Sequence, residues 1–84
     1  METELKPEYD NRNSFYKKAK VIHDNDRITL ISYNTEVAYI EGGKAVVKGT
    51  YSATTLRHIK DFLKQNSFKA ETKEQILKDY KKVF

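Results

Sequence analysis

The chain reads as an α+β domain: a four-stranded antiparallel β-meander over residues 14–51, followed by two C-terminal helices at 52–66 and 72–83 packed on one sheet face. Three observations carry that reading. Four short runs, F-Y-K-K-A-K-V-I-H, R-I-T-L-I-S-Y, E-V-A-Y-I-E and K-A-V-V-K-G-T-Y, are rich in β-branched and aromatic residues and are separated by D-N-D, N-T and G-G, which turn a chain. Behind Ser52, the residues Leu56, Ile59, Phe62 and Leu63 recur at helical spacing. Thr72-Lys73-Glu74-Gln75 then forms a capping box ahead of Ile76, Leu77 and Tyr80. Eighty-four residues make one domain, and without cysteine its core is held by packing alone.

Residues 1–13 hold the only proline, Pro7, and little apolar content beyond Leu5 and Tyr9, so this stretch is expected to be a flexible acidic arm outside a domain of residues 14–84. In the meander, Gly42-Gly43 is the firmest turn, because a two-residue hairpin needs positive φ where a side chain is costly. Asn34-Thr35 is a weaker turn signal. Alternation along the strands is imperfect: Ile28 and Leu30 oppose Thr29, Ile31 and Tyr33, and Val37 and Tyr39 oppose Ala38 and Ile40. One sheet face meets the helices, and the other keeps aromatics such as Tyr16, Tyr33 or Tyr39.

Ser52 is the expected N-cap of the first helix, and Asn66-Ser67 its stop, with Asn66 taking the left-handed conformation. Opposite the apolar stripe, Arg57, Lys60 and Lys64 line up as a basic ridge. On the second helix, Lys78, Lys81 and Lys82 lie opposite Ile76, Leu77, Tyr80, Val83 and Phe84, and suit the negative end of the helix dipole.

The net charge of +4 is concentrated in residues 50–84, where eight Lys and Arg stand against four Asp and Glu. That balance permits attraction to nucleic acid, an anionic membrane surface or an acidic protein face. No apolar run approaches the ~20 residues a bilayer span needs, and the acidic N-terminal stretch resembles no leader, so the expected setting is cytoplasmic, with no membrane partner.

Candidate chemistry is thin. Ser52, His58 and Asp61 share one short helix and cannot converge as nucleophile, base and orienter, so no catalytic residue is assigned. His23 and His58 with Asp24 or Asp26 match no ligand spacing, and neither a metal nor a cofactor is expected. The helix pair lacks the glycine and the supporting third helix of a helix-turn-helix reader, and the strands lack an RNA-recognition-motif signature. What remains is the start of the first helix, where free N–H groups, hydroxyls and a cation converge as they do in anion sites. The residues assigned to binding are Tyr51, Ser52, Thr54, Thr55, Arg57, His58, Lys60 and Lys64, with the hydroxyls and Arg57 receiving an anionic group and the lysines steering it in. Lys78 and Lys82 extend the set for backbone-phosphate contact, and Tyr16, Tyr33 and Tyr51 are candidate interface anchors.

The runs S-Y-N-T-E-V-A-Y-I from Ser32 and G-T-Y-S-A-T-T-L-R-H-I-K-D-F-L-K-Q-N from Gly49 resemble a family of short uncharacterised proteins of Gram-positive phages, plasmids and conjugative elements, over residues 13–80. Ser67 departs from that pattern, where glycine is expected. The resemblance implies a non-enzymatic accessory factor, foremost an anti-CRISPR-like inhibitor that meets a host nuclease or ribonucleoprotein effector through its basic helix surface in the bacterial cytoplasm. The alternatives are a sequence-nonspecific nucleic-acid-binding protein and a homo-oligomer assembled on an open sheet edge.

Overall fold

The computed structural model describes residues 1–49 and 52–81. Its sheet has five strands where four were expected: β1 (Glu2–Glu4), β2 (Ala19–His23), β3 (Arg27–Ser32), β4 (Thr35–Glu41) and β5 (Lys44–Val47). They lie in sequence order, each antiparallel to the next. Helices α1 (Ala53–Gln65) and α2 (Lys73–Tyr80) follow, α1 against β3 and α2 against β5. The expected extension of the second helix over residues 82–83 lies outside the described residues.

The added strand comes from the segment read as a loose arm. Glu4 pairs with Lys20 in register, and the next residue, Leu5, is buried and donates its N–H to the Ala19 carbonyl at 2.9 Å. Further along, the Glu8 N–H donates to Asp61 Oδ1 at 3.0 Å and the Tyr9 N–H to Oδ2 at 3.1 Å. Gln65, one turn after Asp61 on α1, donates both to that carboxylate at 2.6 Å and to the Lys6 carbonyl at 2.8 Å. Much of what holds the segment is its own backbone polar groups, which its side-chain pattern does not signal.

Leu30, Ala38 and Val47 share the helix-facing side of the sheet and meet Ile59, Phe62, Leu63 and Ile76 in one core. The uneven alternation has a structural cause. The register of β3 and β4 shifts between Leu30 and Ile31, a bulge that lets the consecutive residues Val37 and Ala38 both be buried.

Two turns differ from expectation. The β3–β4 turn centres on Tyr33-Asn34, one residue earlier than Asn34-Thr35, with φ of 49° and 67°. The run expected to be the first strand begins instead with a second turn: Tyr16 and Lys17 take φ of 53° and 61°, and the Lys18 N–H closes onto the Phe15 carbonyl at 2.9 Å. Gly42-Gly43 turns β4 into β5 as expected, with positive φ at both residues.

The helix ends follow local rules. Ser52 Oγ accepts from the Thr55 N–H, and Thr72 Oγ1 from the Gln75 N–H. Gln75 reaches back one residue further than a capping box requires, its Oε1 accepting from the Glu71 N–H at 2.8 Å. At the end of α1 the left-handed residue is Ser67 (φ 68°) and not Asn66. The Ser67 N–H donates to the Lys64 carbonyl and the Phe68 N–H to Leu63, the Schellman pattern that favours glycine at position 67.

Two outcomes follow for stability. Asp61→Ala leaves the Glu8 and Tyr9 amides without their acceptor and lowers the unfolding free energy by about 2–4 kcal/mol in urea titration, and those two amides lose hydrogen-exchange protection first. Ser67→Gly relieves the left-handed strain and raises stability by about 0.5–1 kcal/mol in the same measurement.

Candidate functional site

The two unexpected turns and the start of α1 converge. Segment 12–18, Tyr33 and the first turns of α1 enclose a cleft of about 250 Å³. Its aromatic wall is Phe15, Tyr16 and Tyr33, with His58 among them. Its cations are Arg12, Lys18 and Arg57, and its hydroxyls belong to Ser14 and Thr54.

His58 is nearly fully buried, 1 % exposed. Phe15 meets its ring edge-on at 4.5 Å, and Tyr33 stacks on it at 5.8 Å with an interplanar angle of 29°. Beneath, Nδ1 shares a 2.8 Å hydrogen bond with Ser32 Oγ, which shares another with Thr55 Oγ1 at 3.1 Å. Among the described residues nothing bonds to Nε2, and the ring lines the cleft. Burial lowers the His58 pKa from its usual value, while the charge of Asp10 works the other way; burial prevails and the ring is neutral at pH 7.

Tyr16 and Tyr33 remain 72 % and 50 % exposed although each occupies a left-handed backbone position. For a residue with a Cβ that conformation costs about 1–2 kcal/mol. Of the five described non-glycine residues with positive φ, Tyr16, Lys17, Tyr33 and Asn34 all line this cleft or the depression beside it. That depression adds Lys17, Lys20, Ile31 and Asn34, and shares Lys18 and Tyr33 with the cleft. Cationic and aromatic groups thus form one continuous surface across both hollows. The carboxylates near it are Asp10, 3.6 Å from the Arg57 guanidinium, and Glu2 and Glu4, which flank Lys17 and Lys20.

Of the residues assigned from sequence, Thr54, Arg57 and His58 are brought together here. Thr55 turns its hydroxyl inward to Ser32, and Ser52 spends its own on the helix cap, so neither is free to receive an anion as expected. Lys60 and Lys64 are half-buried and lie off the cleft; Lys64 Nζ sits 5.9 Å from the centre of the Tyr9 ring. The basic ridge is therefore split, with Arg57 alone reaching the cleft and already beside Asp10. Tyr51 lies outside the described residues. His58 packs against Phe15 and Tyr33, not against Phe62 one turn on along its own helix. Arg12, Lys18 and Ser32 were missed: a lone arginine in an acidic stretch and a serine in a strand carry no local signal of a shared site.

The buried ring makes stability depend on pH with a definite sign. Because the folded pKa of His58 lies below the unfolded value of about 6.5, its neutral state favours folding fully above pH 6.5, and that contribution is lost as pH falls from there through the folded pKa. NMR titration of the His58 ring should give a midpoint below 6.5, with the melting temperature declining over the same window; a midpoint at or above 6.5 contradicts this.

Among the described residues no helix is long and apolar enough to cross a membrane. No curated protein and no solved structure matches the chain. Residues 3–78, which include all of β1 but Glu2 and every described residue of the cleft, match the Family of unknown function (DUF8033), and the chain belongs to that family.

Proposed function

We propose that this is a non-catalytic binding protein for single-stranded nucleic acid, and that the cationic-aromatic surface around Tyr16 and Tyr33 is where the strand lies. The observation that carries the proposal is the pair of exposed tyrosines held at strained backbone positions beside Arg12, Lys18 and Arg57. Proteins that hold single strands combine a positive track for phosphates with aromatic faces for bases, and every base has a face to stack. Duplex DNA keeps its bases stacked on one another, so exposed tyrosines favour a strand over a duplex.

Ser32 and His58 stand at a distance that suits a nucleophile and its base. Ser32 is only 2 % exposed, does not line the cleft and is bonded on both sides, so no substrate carbon can approach its oxygen. It supports the non-catalytic reading as a prop beneath the ring.

The setting we propose is a phage or other mobile element in a bacterial cytoplasm, on the strength of the sequence resemblance. There the same surface would let the protein occupy the guide RNA or exposed target strand of a host defence effector, which unites the inhibitor and nucleic-acid readings in one contact.

Fluorescence anisotropy with a labelled oligothymidine tests the proposal. Neutralising about three to four phosphates gives a slope of about −2 to −3 in log affinity against log salt. Reversing charge in Lys18→Glu with Arg57→Glu weakens binding by at least about tenfold, while Lys78→Glu on α2, away from the cleft, changes it little. Absence of binding at 50 mM salt overturns the proposal.

A further inference from the structure

The surface explains attraction to a strand in general, but the cleft is built for more than charge. A polyanion needs only an exposed basic face, whereas here a neutral imidazole, 1 % exposed, is held from below by Ser32 through Nδ1, lines an aromatic hollow, and has no partner for Nε2 among the described residues. Its volume of about 250 Å³ falls below the ~300–1,000 Å³ of pockets that enclose drug-sized ligands and has room for one planar ring system.

We propose that the cleft receives a single unstacked nucleobase, which packs on Tyr16 and Tyr33, takes one hydrogen bond at its edge from or to His58 Nε2, and leaves its flanking phosphates on Lys18 and Arg57. This rests on the nucleic-acid reading above and adds to it a defined base pocket. The arrangement follows from the chemistry on each side. Tyrosine faces stack on a base of any identity, guanidinium and ammonium groups take the phosphates, and Asp10 orients the Arg57 guanidinium while leaving its side chain 43 % exposed. A neutral imidazole whose Nδ1 is committed to Ser32 has one remaining function at Nε2, a donor or an acceptor according to the direction of the Thr55–Ser32–His58 hydrogen-bond relay. A ring atom with a fixed position and a single polar function can prefer some bases over others.

The test compares an oligothymidine with a strand of equal length made wholly of abasic residues, which keeps the phosphates and loses every base. The proposal expects the abasic strand to bind at least about tenfold more weakly at the same salt, and the His58 ring resonances to shift on titration with oligothymidine. Tyr33→Ala, whose retained fold is checked by circular dichroism, should abolish most of that tenfold difference by weakening the thymidine strand alone. Equal affinity for the two strands overturns the base pocket and leaves salt-dependent strand binding standing. Tight binding of oligothymidine with unmoved His58 resonances also overturns it, since the base then lies elsewhere. Binding of neither strand overturns both readings.

Discussion

A single buried carboxylate organises this small domain. Asp61 sits on the core side of α1, and its two oxygens accept from the backbone N–H groups of Glu8 and Tyr9 and from the Gln65 amide. Burying an ionised carboxylate costs several kcal/mol unless it is hydrogen-bonded, while bonds to a charged acceptor each return about 1.5–3 kcal/mol. The exchange makes α1 and the segment after β1 interdependent. With that segment tied down, Asp10 lies beside Arg57, Arg12 and Ser14 form one wall of the cleft, and Phe15 is placed against His58. The Arg57–Asp10 ion pair and the Phe15–His58 ring contact hold the same segment further along, on the N-terminal half of the helix.

The second constraint is backbone strain, and it lies on the same side of the molecule. Two turns with positive φ at both central positions place a tyrosine where glycine or asparagine is preferred. Stacking on His58 offsets part of the cost at Tyr33; Tyr16, largely exposed, has no comparable ring contact among the described residues. Both left-handed pairs line the two adjoining hollows, while Gly42-Gly43 makes the corresponding turn at the far end of the sheet without strain. A chain able to use glycine at one hairpin and keeping tyrosine at another, and at the turn that leads into β2, places aromatic surface where it can be used.

Charge and aromatic surface contribute differently to the functional reading. The lysines and arginines supply attraction that is long-ranged, screened by salt and indifferent to what lies between the phosphates. Tyr16, Tyr33 and the propped His58 ring act only at contact and depend on shape. The expected ridge of Arg57, Lys60 and Lys64 would have offered attraction alone. Its division, with Lys64 over Tyr9 and Arg57 beside Asp10, moves the centre of the site from the outer face of α1 to its junction with the sheet.

Local chemistry in the sequence determined the α+β class, the two helices with their Ser52 and Thr72 caps, the glycine hairpin and the end of the first helix at Asn66-Ser67, because each depends on residues within about four positions of one another. Of the eight residues assigned to binding, Thr54, Arg57 and His58 line the cleft together, because a helix start places them close whatever the rest of the chain does. Only the tertiary structure decided that β1 joins the sheet, that Val37 and Ala38 are both buried, that Thr55 faces inward and that Arg12, Lys18 and Ser32 belong to the site. The physical reason is separation along the chain. Ser32 meets His58 across 26 residues and Glu8 meets Asp61 across 53, and such contacts depend on the register of a bulged sheet and on backbone amides that no side-chain pattern encodes.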